Sequence, residues 1–83
     1  MDIIRELTRI LVSELNVEVP AEGMTSNDSL QDAYGLDSLG FAELVVECED
    51  TFGITLAEDD LNVADFATLG SLAAFIEKKT AAR

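Results

Sequence analysis

Apolar residues recur every three or four positions at the start of the chain. Ile4, Leu7, Leu11 and Leu15 share one side, with Ile3 and Ile10 beside them and Arg5, Glu6, Arg9 and Ser13 elsewhere. That period predicts an amphipathic helix over Asp2–Leu15. The pattern then breaks. Pro20, Gly23, the "SND" of Ser26–Asp28 and Gly35 predict a long loop over Asn16–Asp37. A loop of that length in a small domain needs packing of its own, and Val17, Val19, Met24, Leu30, Tyr34 and Leu36 can supply it. Helical patterning resumes over Ser38–Phe52 and stops at Gly53. "ITLAEDDL", Ile54–Leu61, has room for one short helical turn beginning near Glu58. A last helix is predicted over about Leu69–Lys79, with Thr68 as its N-cap. No segment alternates as a strand does. The predicted fold is all-α: a small bundle of three main helices plus one short helix, with a long loop between the first two.

The second predicted helix carries two apolar faces. At ~100° per residue, Phe41, Leu44, Val45, Cys48 and Phe52 fall within about 100° of arc, an ordinary core stripe. Leu39, Ala42 and Val46 lie on a different side, flanked by Glu43, Glu49 and Asp50. A helix in a small bundle has one core to face. The second stripe therefore reads as a surface for a partner with an apolar centre and a basic rim.

Charge sharpens that reading. Seventeen acids against five bases leave a net charge of −12 over 83 residues. The bases are Arg5, Arg9, Lys78, Lys79 and Arg83, so no Lys or Arg occurs from Ile10 to Glu77. Nucleic acid and anionic membranes are poor partners for such a surface, whereas basic proteins are steered to it. The length fits a single domain, residues 1–83, with a modest core. Without a signal-peptide pattern or an apolar run of membrane-spanning length, the chain reads as cytoplasmic. One cysteine allows no internal disulfide, and its place in the core stripe marks Cys48 as a buried apolar residue. The absence of histidine excludes imidazole ligation of metals and His-based acid–base catalysis. "EDDLNVADF", Glu58–Phe66, lacks the glycine and the spacing of an EF-hand loop.

The remaining chemistry gathers at "YGLDSLG", Tyr34–Gly40. Asp37 and Ser38 are both good N-caps, and two in succession are redundant for capping. One can bond the helix while the other points out. Ser38 has no His to activate it, and the "GxSxG" elbow of hydrolases is absent, so self-contained catalysis is excluded. A serine modified by another enzyme needs exposure, a helix N-terminus that tolerates phosphate and an adjacent docking surface.

"GLDSL" at a helix start, followed by a helix ending in "FGI" (Phe52–Ile54), a short acidic turn and a final helix, resembles the acyl carrier proteins over nearly the whole chain. The resemblance implies that Ser38 carries 4′-phosphopantetheine, transferred from coenzyme A by a separate phosphopantetheinyl transferase. It implies that Asp37 helps that transferase place its Mg²⁺. It also implies that Leu39, Ala42, Glu43, Val46, Glu49 and Asp50 dock partner enzymes through basic patches. The arm would hold an acyl group as a thioester and deliver it to acyl-loading and acyl-processing enzymes, the chain itself being a monomeric carrier and not an enzyme. Gly40 stands where carriers of fatty-acid synthesis usually have a second acid. The stretch Thr55–Thr68 is slightly longer than in those carriers and adds Phe66. Both differences point towards a specialised, polyketide-like pathway. Two other readings stay open: an aminoacyl or peptidyl carrier, and a non-covalent acidic helical adaptor in which Ser38 only caps.

Overall fold

The computed structural model describes residues 2–56, 64 and 66–82. Three helices, α1 (Ile3–Ser13), α2 (Ser38–Phe52) and α3 (Leu69–Ala82), form the bundle, and α1 packs against both others. The three main helices stand where the sequence pattern puts them. The short helix predicted near Glu58 lies outside the described residues. Among the described residues a 3-10 turn occurs within the long loop, at Ala21–Gly23, where Pro20 (φ −66°) sets the chain for it and Gly23 N–H bonds to the Pro20 carbonyl at 2.9 Å.

α1 is shorter than its hydrophobic period. Asp2 is not in the helix but caps it, accepting from Arg5 N–H at 3.2 Å. At the other end Asn16 takes φ 57°, a left-handed value that asparagine tolerates, and the amides of Leu15 and Val17 bond back to Ile10 and Leu11. Leu15 lies just past the helix end and packs at the edge of the core. Leu7, Ile10 and Leu11 are fully buried. The Thr8 hydroxyl, also buried, donates to the Arg5 carbonyl at 2.8 Å, so its burial leaves no polar atom unmatched.

The long loop is packed down as its apolar residues require. Leu30, Tyr34 and Leu36 are buried, and Val17, Val19 and Met24 pack on the core from its edge. Its backbone also serves α3. The first amides of a helix have no partner within the helix. Here Leu69 N–H bonds to the Asp28 carbonyl at 3.0 Å and Gly70 N–H to the Ser26 carbonyl at 2.9 Å. Thr68 caps α3 as expected: its Oγ1 accepts from Ser71 N–H at 3.1 Å, while Ser71 Oγ accepts from Thr68 N–H at 3.0 Å. An isolated bridge pairs Ser29 with Thr68.

Asp28 is the hub of this junction. Its carboxylate accepts from Thr25 N–H (2.8 Å), the Thr25 hydroxyl (2.9 Å) and the Tyr34 hydroxyl (2.9 Å). The Thr25 amide, then the Tyr34 and Thr25 hydroxyls, hold the carboxyl below the ordinary carboxylate value. A lowered native pKa gives stability that is present above the unfolded value of 3.8 and is lost as pH falls through the native value. The stability gap between wild type and Asp28→Asn is therefore expected to narrow on acidification through that range. Urea melts at a series of pH values would show it. A gap independent of pH would mean that ionisation of Asp28 contributes nothing.

On α2, Leu44, Cys48 and Phe52 are buried and Phe41 and Val45 pack at the core edge, as the first apolar stripe predicts. Leu69, Leu72, Ala73 and Ile76 close the core from α3. Phe66 stacks tilted against Phe75, ring centroids 5.7 Å apart. The thiol of Cys48 is pushed up to about 12, first by burial and then by the charges of Glu47 and Glu49, which leaves it a packing residue.

Candidate functional site

The site is built by the turn that enters α2. Tyr34 is held by its hydroxyl on Asp28, and Leu36 is buried with its amide directed to the Leu30 carbonyl at 3.4 Å. Asp37 then takes extended backbone angles (φ −97°, ψ −172°) and becomes the N-cap. Its Oδ1 accepts from Gly40 N–H at 2.8 Å, and its carbonyl accepts the first helical bond, from Phe41 N–H, at 2.9 Å. The capping bond belongs to Asp37, so Ser38 is free of that duty.

Ser38 is the first residue inside α2, and it is exposed. Its hydroxyl has no hydrogen-bond partner in the described structure. A hydroxyl at the start of a helix sits beside amides that the helix leaves unused and at the positive end of its dipole, the place where a phosphate is best accommodated. The residues present therefore fit a phosphodiester on Ser38. Gly40 lies against the buried Leu36: a Cβ added there would stand 3.1 Å from Leu36 Cδ2.

The second apolar stripe is bare. Leu39 is 69% exposed and Val46 53%, and Ala42 is exposed between them. Glu43 and Asp50 are exposed alongside. Glu49, on the same flank, has a second engagement. It is half-buried, and its carboxylate accepts from Leu56 N–H at 2.8 Å, tying down the chain beyond α2. The helical wheel gives its direction but not the backbone amide that returns to meet it.

The structure adds residues that the sequence pattern did not single out for this face. Glu14 and Leu15, past the end of α1, and Glu47 of α2 join Ala42, Glu43 and Val46 around an open groove of about 270 Å³. The period of α1 assigns Leu15 to the core side, where it packs at the edge, and the same residue borders the groove. Among the described residues no cluster of three or more carboxylate or thiol groups is arranged to hold a metal ion, and no helix is long and apolar enough to cross a membrane.

Comparison with known proteins agrees with this geometry. Residues 5–76 match the family described as phosphopantetheine attachment site. The chain is 41% identical over 73 residues to acyl carrier protein MbtL of a Mycobacterium species, covering 88% of this chain and 78% of the relative. It is 34% identical over 77 residues to the meromycolate extension acyl carrier protein of Mycolicibacterium smegmatis, covering 93% and 74%. The solution structure of a holo acyl carrier protein from Nitrosomonas europaea superposes with a TM-score of 0.83 at 28% identity, over 98% of this chain and 99% of that one. Fold and sequence thus define a phosphopantetheine-bearing carrier rather than a catalyst. The chain belongs to the acyl carrier protein family.

Proposed function

We propose that Ser38 is the attachment residue for 4′-phosphopantetheine and that residues 1–83 act as a single carrier domain. The observation that carries this is the division of labour at the helix start: Asp37 makes the capping bond at 2.8 Å, and the Ser38 hydroxyl is left exposed and unpartnered beside it. In the transfer, Ser38 Oγ bonds to the phosphorus of the pantetheine half of coenzyme A. The bond to the adenosine bisphosphate half breaks, and the hydroxyl proton passes to a base of the transferase. Asp37 Oδ1 is committed to Gly40, which fixes the carboxylate at the mouth of the site where it can help the transferase place Mg²⁺. The bound arm supplies a thiol for thioester formation; the chain supplies the anchor and the address.

Leu39, Ala42, Glu43, Val46 and Asp50 form the docking face for enzymes with basic patches, and Glu49 supports it from below through Leu56. The lack of Lys and Arg from Ile10 to Glu77 leaves that face acidic and speeds encounter more than it tightens binding. A specialised pathway is favoured over housekeeping fatty-acid synthesis. Gly40, in contact distance of Leu36, puts no second acid beside Ser38, and the relatives above include a carrier named for meromycolate extension. The test is intact mass after incubation with coenzyme A and a broad-specificity phosphopantetheinyl transferase. A gain of one phosphopantetheine is expected; no gain from a folded sample with an active transferase would remove the carrier reading of Ser38.

A further inference from the structure

The groove between the end of α1 and α2 has a consistent chemistry on both walls. On α2, Ala42 and Val46 stand one turn apart, and Glu43 and Glu47 repeat that step beside them, so an apolar line and an acidic line run parallel along the helix. On the opposite wall Leu15 supplies the apolar contact and Glu14 the carboxylate. At about 270 Å³ the groove lies under the ~300–1,000 Å³ typical of small-molecule pockets, so its size suits one large side chain better than a metabolite. A second copy of this chain is a poor occupant, since it brings the same net charge of −12. A basic protein segment is a good one, because three carboxylates rim the groove within a stretch that holds no Lys or Arg.

We propose that this groove seats an apolar side chain flanked by Lys or Arg on the docking phosphopantetheinyl transferase, making Glu14, Leu15 and Glu47 part of the carrier's address. The proposal rests on the carrier reading of Ser38. It differs from docking on a bare stripe in what it demands of shape. A stripe that only offers apolar area gains from a larger apolar residue at Ala42, whereas a groove that receives a side chain is blocked by one.

Steady-state loading of Ser38 from coenzyme A by a broad-specificity transferase, followed by intact mass, separates the two. Ala42→Leu and Glu14→Lys are each expected to raise KM about tenfold, equivalent to about 1.4 kcal/mol, with kcat little changed. Glu22→Lys makes the same charge change in the 3-10 turn, away from the groove, and is expected to stay within about twofold. Leu39→Ala, on the exposed stripe but outside the groove, tests docking on α2 itself. Wild-type KM in either Ala42→Leu or Glu14→Lys overturns the groove, and a loss in Leu39→Ala alone then leaves the docking face standing. A wild-type chain that is never loaded overturns the carrier reading instead. Should a variant lose its fold, ¹⁵N-labelled wild type titrated with the transferase decides: the Leu15 and Glu47 amides shift if the groove is occupied, and unmoved signals overturn it.

Discussion

Replacing Ser38 with alanine is expected to abolish phosphopantetheine loading and leave the fold intact. Both halves follow from the first turn of α2. Loading needs a hydroxyl at a position the transferase can reach, and alanine has none. Stability does not depend on that hydroxyl, because Asp37 caps the helix and Ser38 is exposed. A surface change of this kind stays within about 0.5 kcal/mol. If Ser38 were the cap, its loss would cost about 0.5–2 kcal/mol, and the melt would show it. Intact mass and a thermal melt on the same sample therefore separate carrier from cap. Loading that persists in Ser38→Ala would move the attachment to another hydroxyl, and a large drop in melting temperature would return Ser38 to a structural role.

Much of this arrangement was legible in the sequence because it depends on local rules. The core stripe of α2 follows from helical geometry, and so does the separation of Leu39 and Val46 from it, which the structure shows as 69% and 53% exposure. The redundancy of Asp37 and Ser38 as caps pointed to a division of roles, and the backbone angles of Asp37 assign them. Thr68 was legible as a cap for the same reason: capping is decided within four residues.

What the sequence did not show depends on segments far apart in the chain. The helical wheel groups Glu49 with the acids of the docking face because its direction is the same. Its partner is the amide of Leu56, seven residues on, beyond the left-handed turn at Gly53, and no periodicity encodes that return. Leu15 belongs to the hydrophobic period of α1 and packs at the core's edge, but its place at the groove depends on α2 lying alongside α1, which no period encodes. The apolar residues of the long loop predict packing through its side chains. Its carbonyls also complete the start of α3, and a carbonyl leaves no mark in the residue pattern.

That last junction gives the largest expected effect on stability. On helix propensity alone, Gly70→Ala gains about 1 kcal/mol. The geometry reverses the sign. A Cβ at Gly70 would stand 2.9 Å from the Ser26 carbonyl oxygen and 3.0 Å from Ser26 Cβ. That same oxygen accepts the Gly70 amide at 2.9 Å, so the loop cannot retreat without giving up a bond that α3 needs at its first turn. Forcing such a contact costs about 1–3 kcal/mol, and the lost bond adds about 0.5–1.5, so after the propensity gain a net destabilisation of about 0.5–3.5 kcal/mol is expected. In a domain of this size that is a fall in melting temperature of about 4–8 °C per kcal/mol. Gly40→Ala makes the comparison internal to the protein: its added Cβ meets Leu36 Cδ2 at 3.1 Å, a side-chain tip rather than backbone and short by only a few tenths of an ångström, and its melt is expected near wild type. A Gly70→Ala protein that melts at or above wild type would show that propensity outweighs contact, and that the loop is not held against α3 as closely as 2.9 Å requires.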